Sequence, residues 1–165
     1  MSPSHISPPT TFAGILRRLP DLPGVRFTAR HKPVLELDRR SGDKRDLWAR
    51  KAWTALNALS TYAQAKEQGF PGSFFHYCQQ GRAGALSVHQ VALHESNTAL
   101  TQWAQERLFP VPPEVDPQGR VLMTAHIRLG TRGVAPRLYF LDRTDAGQGV
   151  IVGWLGRHLT NTMTS

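Results

Sequence analysis

The stretch HIRLGTRGVAPRLYFLDRTDAGQGVIVGWLGRHL, His126 to Leu159, reads as β-structure almost throughout. Apolar and polar residues alternate in its first two runs, the third is a short apolar run of strand length, and the breaks fall at glycine, proline and aspartate. The pattern predicts three successive strands, roughly Arg120–Gly130, Arg137–Asp142 and Val150–Leu155, joined as a meander. A period of two places Met123, Ala125 and Ile127 on one side and Leu122, Thr124, His126 and Arg128 on the other. In the second strand, Arg137, Tyr139 and Leu141 alternate with Leu138, Phe140 and Asp142. One face is then apolar, and the other offers Thr124, His126, Arg128, Arg137 and Tyr139. Such a face could hold a phosphate and move protons. A strand that turns its polar residues to water accounts for the same alternation.

Upstream, MSPSHISPPTT has no apolar period, and residues 1–11 are expected to be a flexible arm preceding a single domain over 12–165. Phe12, Ile15, Leu16 and Leu19 fall at helical spacing before Pro20 and Pro23. Alternation on both sides of Pro33 suggests two short strands or one interrupted edge strand over VRFTARHKPVLELD. The clearest element is the helix beginning near Leu47. Trp48, Ala52, Leu56, Leu59 and Ala63 share one stripe, Asp46 is a plausible N-cap, and Gly69 is the stop. Its other face carries Arg50, Asn57 and Gln64, with Lys51 near the start, and fits either solvent or a ligand.

The aromatic segment FPGSFFHYCQQ should pack Phe74, Phe75 and Tyr77 on that helix. Ser87 and Gln90 stand at capping-box spacing and predict one or two further helices ending near Leu108, with Glu95 on the buried stripe. A buried acid needs a partner, and an arginine or histidine from the sheet is the natural one. PVPPEVDPQG then acts as a rigid connector. The order predicts an α+β fold, a small antiparallel sheet with two or more helices packed on one face and the other face free for a ligand.

A chain of 165 residues carries 20 Lys+Arg against 12 Asp+Glu, a net charge of +8, and only four of its basic residues are lysines. Residues 1–60 hold eleven basic and five acidic residues, residues 61–119 three and five, and residues 120–165 six and two. Cationic ends around an acidic middle suit a polyanion binder, and arginine suits bidentate phosphate contacts. The leading expectation is a nucleic-acid-binding domain, of RNA or DNA, using Arg128, Arg132, Arg137 and Arg157 from the sheet with Arg30, Lys32, Arg39 and Arg40 from the basic N-terminal part. Gly153 and Gly156 are expected to make a tight bend that presents Arg157 and His158 beside the sheet face.

Two alternatives remain open. The run HIRLG…PRLYFLDRT…GVIVGWLGRHL resembles the last three strands of the RelE/ParE toxin superfamily. The resemblance covers about residues 120–160, and it implies metal-independent endoribonuclease chemistry in which Arg137, Tyr139 and His158 act on RNA. The other alternative is a protein-interaction module, suggested by Trp48, Trp53, Trp103 and Trp154 and by the FFHYC segment.

The single cysteine, Cys78, rules out an internal disulfide and a multi-cysteine zinc site. His89 and His94 have the wrong spacing to share a metal on one helical face, so no metal and no cofactor is expected. No P-loop, GxGxxG or GxSxG motif is present. No apolar run reaches the ~20 residues of a membrane span, and the expectation is a cytoplasmic protein without a membrane partner.

Overall fold

The computed structural model describes residues 7–82, 86–131 and 133–160. Among these residues five α-helices and seven strands follow one another, with short 3-10 turns between some of them, as α1 (Phe12–Arg17), β1 (Val25–Phe27), α2 (His31–Arg40), α3 (Arg45–Glu67), α4 (Phe74–Gln79), β2 (Val91–Ala92), α5 (Asn97–Trp103), β3 (Leu108–Pro110), β4 (Arg120–Leu122), β5 (Ala125–Arg128), β6 (Arg137–Arg143) and β7 (Gly149–Gly156). The α+β plan stands, with helices against a sheet. That sheet has five strands in the order β1-β7-β6-β5-β2, and β1 runs parallel to β7, so it is mixed where an all-antiparallel meander was expected.

The meander β5-β6-β7 is its antiparallel centre, with His126 opposite Tyr139 and Arg128 opposite Arg137. The first strand is shorter than its sequence suggests. The chain breaks at Met123 and Thr124, and β4 leaves to pair with β3 as a separate hairpin.

The helical layer forms where the apolar stripes say it should. Leu56, Leu59 and Tyr62 of α3 share a buried cluster with Ile127, Leu138, Phe140, Val150, Val152 and Leu155 of the sheet. Phe74 of α4 lies edge-on to both Tyr62 and Phe140, at 5.4 and 5.5 Å, and Tyr77 is edge-on to Tyr62. Burial pushes the Cys78 thiol of the same helix up to about 11. Helix α3 ends at Gly69, whose φ of +99° is the left-handed conformation glycine accepts without strain. Its start differs from the sequence reading: Lys44 is the N-cap and Asp46 stands in the first turn.

The stretch around Pro33 is not a strand. It is the ten-residue helix α2, with Val34 and Leu37 buried one turn apart. Pro33 is its third residue, within the first turn, where the N–H it lacks would have had no intrahelical partner. Asp38 of α2 caps α1 by accepting from Phe12 N and Ala13 N at 2.7 and 2.9 Å. Of the arm, Met1–Ile6 lies outside the described residues. Ser7 O accepts from Arg18, and Thr11 caps α1 through Gly14 N.

The face opposite the helices is not free. Phe109, Val111, Val115, Met123 and Leu159 close over Tyr139 and Ile151 there, bringing the β3-β4 hairpin and the chain after β7 against the sheet. Strand β7 serves both layers through a bulge at Gly153, which has no partner between the pairs Tyr139–Trp154 and Phe140–Val152. The bulge puts Trp154 on the hairpin side and returns Leu155 to the helical side. A Cβ at Gly153 would stand 2.6 Å from the Phe109 Cβ and 2.7 Å from Met123, so glycine is required there for room. The bend expected between Gly153 and Gly156 is absent: β7 runs through Gly156, and neither residue has a positive φ.

Candidate functional site

The alternation of β5 and β6 brings the expected polar side chains together, and burial then withdraws most of them, Tyr139 directly under the hairpin layer. His126, Tyr139 and Arg137 are buried on this face. Glu95, in the loop after β2, reaches in from the side. Its Oε2 pairs with Arg107 Nε, while its Oε1 accepts from Tyr139 OH at 3.2 Å and lies 3.2 Å from His126 Nδ1. Glu95 is therefore buried with partners, as expected, though from a loop and not from a helix stripe, and the arginine comes from the turn before β3. Arg107 also donates to Trp103 O at 3.2 Å and to Thr160 O at 2.7 Å, which fastens the end of the described chain to the covering layer.

Electrostatics follow from this enclosure. Burial, reinforced by the Glu95 charge, raises the Tyr139 phenol above its ordinary range. Desolvation holds His126 below the usual imidazole value, against the opposing pull of Thr124 O and Glu95. Its Nδ1 lies 2.9 Å from Thr124 O, which fixes the proton on that nitrogen. His158 is likewise lowered, by burial first and then by the charge of Arg137.

Arg137 is pushed down to about 10 by burial and by neighbouring Arg128, and it remains a cation at neutral pH. Its Nη1 donates to the carbonyls of Gly130, Ala135 and Pro136 at 2.7, 3.0 and 3.2 Å. Arg137 thus ties the β5–β6 loop, including Ala135 with its φ of +41°. The trio Arg137, Tyr139 and His158 is gathered in one region. Arg137 and Tyr139 are committed to internal partners.

The exposed cations lie elsewhere. Arg132 lies outside the described residues. Arg157 is exposed at the end of β7 and donates to His158 O at 2.9 Å. Arg30 and Lys32 are exposed at the start of α2, and Arg39 and Arg40 at its end, about 15 Å along the helix. Only the second pair leads into the start of α3.

There the surface is concave. Two adjoining hollows of about 320 and 340 Å³ share Leu47, Lys51 and Gln90. The first is walled by Lys44, Lys51, Arg128 and His89, with Trp48 and Gly130 between them. The second adds Arg50, Thr54 and Leu86. No Asp or Glu is among the described residues lining either hollow.

The walls are set by packing. A Cβ on Gly130 would come within 2.7 Å of the Trp48 indole nitrogen, so the loop after β5 lies directly on α3. Arg128 is steadied by donating to His89 O at 3.1 Å, and Gln90 Nε2 returns a bond to Arg128 O at 3.3 Å. Ser87 and Gln90 form the expected capping box, but over the short turn Val88–Gln90, after which the chain becomes β2 and not a helix.

Arg128, Arg39 and Arg40 are legible from sequence as candidates; Lys44 and His89 are not. Lys44 and Arg45 do carry a local signal. They stand at the N-terminal end of a 23-residue helix, where a cation opposes the helix dipole by roughly 0.3–1 kcal/mol. Arg39 and Arg40, in the last turn of α2, favour the dipole and have a structural reason to be there.

The four tryptophans differ in exposure: Trp48 is buried, and Trp53, Trp103 and Trp154 are half-buried. Among the described residues no helix is long and apolar enough to cross a membrane. Comparison of the chain with protein-family models, with curated proteins and with solved structures finds no match.

Proposed function

We propose that this protein binds nucleic acid through the groove between the start of α3 and the loop after β5. One observation carries the reading: Lys44, Lys51 and Arg128 converge on a hollow whose described lining contains no carboxylate. Three cations facing one concavity repel one another and raise its potential, and a phosphate chain relieves that repulsion. Two of these cations come from the α3 region and the third from a strand some eighty residues on, so the cluster is a product of the fold. Arg39 and Arg40 at the end of α2, and Arg45 beside Lys44, are exposed on the chain segment that leads into α3. The sheet face, first in line from the sequence, is the weaker candidate because Tyr139 lies under the hairpin cover and Arg137 is buried and bonded to the carbonyls of its own loop.

The experiment is a fluorescence-anisotropy titration of labelled RNA and DNA oligonucleotides across a salt series. Three or four phosphate contacts on a single strand give a log–log salt slope of about −2 to −3, at about −0.7 per contact. Absence of binding at micromolar protein and low salt ends the proposal.

A further inference from the structure

Resting on that reading, we infer that the groove takes single-stranded nucleic acid, with the backbone in the cationic hollow and one unpaired base seated in the neighbouring one. The two hollows differ in chemistry in the way those two parts of a nucleotide differ. The first offers Lys44, Lys51 and Arg128, three positive groups for phosphate oxygens. The second is floored by Leu47 and Leu86, and its own cation, Arg50, is already paired with Asp46 at 3.2 Å. A guanidinium that already faces a carboxylate is a weaker phosphate ligand than a lone one, and its plane is still free to stack on a base.

Leu47 is 39% exposed, and a base would cover it. The hollows share Lys51 and Leu47, so one nucleotide can span them. A duplex keeps its bases stacked inside and shows phosphate on a convex surface, which leaves the second hollow unfilled. A single strand has the base to offer.

The second hollow has little with which to read a base edge. Among the described residues Gln90 is the only amide side chain lining it, and each end of that amide already makes one bond, Oε1 accepting from Ser87 N at 3.1 Å and one Nε2 hydrogen going to Arg128 O, which leaves one N–H over. Thr54 is the one other uncharged polar side chain among the described residues on this lining. Shape and stacking therefore outweigh edge reading, and the hollow discriminates only weakly among the four bases.

Three probes of one length decide it: an intact single strand, the same strand annealed to its complement, and a strand carrying abasic sugars throughout. Each is titrated against the full chain and against Thr54→Phe, which fills the second hollow without changing charge. The intact strand is expected to bind at least tenfold more tightly than the duplex or the abasic strand. Thr54→Phe should bring the intact strand down to the abasic level and leave the abasic affinity within twofold. Equal affinity for all three probes, or an intact-strand affinity that survives in folded Thr54→Phe, overturns the inference and leaves backbone binding standing. Failure of every probe to bind the parent protein overturns the parent reading itself.

Discussion

Replacing Glu95 with alanine should destabilise the fold more than any surface change, and the reason is Arg107. The guanidinium is 1% exposed, and its Nε has Glu95 as partner. Removing that carboxylate leaves a buried cation with two carbonyl bonds, to Trp103 and Thr160, and no counter-charge among those contacts. It also takes the described acceptor from Tyr139 OH, at a residue 2% exposed. Breaking a buried pair from one side costs about 3–5 kcal/mol, a large part of the roughly 5–15 kcal/mol that holds a domain together. With a urea m-value near 2 kcal/mol/M, the midpoint should fall by about 1.5–2.5 M. Glu95→Gln keeps the shape and one acceptor and should cost about half as much. The double variant Glu95→Leu, Arg107→Met removes both charges together and should be more stable than Glu95→Ala alone. A midpoint shift below about 0.5 M for Glu95→Ala, or a double variant that costs the sum of its two singles, refutes the reasoning.

Acid should weaken the fold through His126 and His158. Burial lowers both in the folded chain, so below the ordinary imidazole value of about 6.5 the unfolded chain takes up protons that the folded chain refuses. Stability then falls as pH drops from 7.5 to 5.5, and an unchanged or higher urea midpoint at pH 5.5 contradicts the assignment. Gly153→Ala should cost about 1–3 kcal/mol by overpacking Phe109 and Met123, seen as a lower melting temperature. Gly149→Ala should cost at least as much, because its φ is +73° and its Cβ would run into the Gly24 carbonyl. Melting temperatures within a degree of the parent would show that both sites relax. At pH 8 Cys78 should react with a thiol reagent at least about a hundredfold more slowly in the native protein than in urea, since a pKa of about 11 leaves little thiolate; equal rates would place it at the surface.

What was legible in the sequence is what local periodicity controls. The α3 stripe, its Gly69 stop, the Ser87–Gln90 box and the shared face of His126, Arg128, Arg137 and Tyr139 all follow from spacings of two, three or four residues; the register that sets His126 opposite Tyr139 does not. Helix α2 is not legible in this way, because a proline amid alternating residues has the pattern of an interrupted strand until its place in a first turn is known. The covering of the sheet could not be read. It depends on Phe109 and Met123, fourteen residues apart across a proline-rich connector, closing over Tyr139 and Ile151. The site moved for the same reason: once that face is roofed, the exposed cations that converge are Lys44 and Lys51 with Arg128, and only the fold brings them together.

The most direct test of the groove is a comparison of two triple variants of equal charge, Lys44→Ala, Lys51→Ala, Arg128→Ala and Arg30→Ala, Lys32→Ala, Arg120→Ala, against one labelled single strand at fixed salt. Both sets are solvent-facing, so both proteins should keep the parent melting temperature to within a few degrees. The groove variant should lose at least a hundredfold in affinity and about two units of salt slope, with the control within about threefold of the parent. Equal losses in the two variants would mean that net charge, and not this groove, holds the ligand.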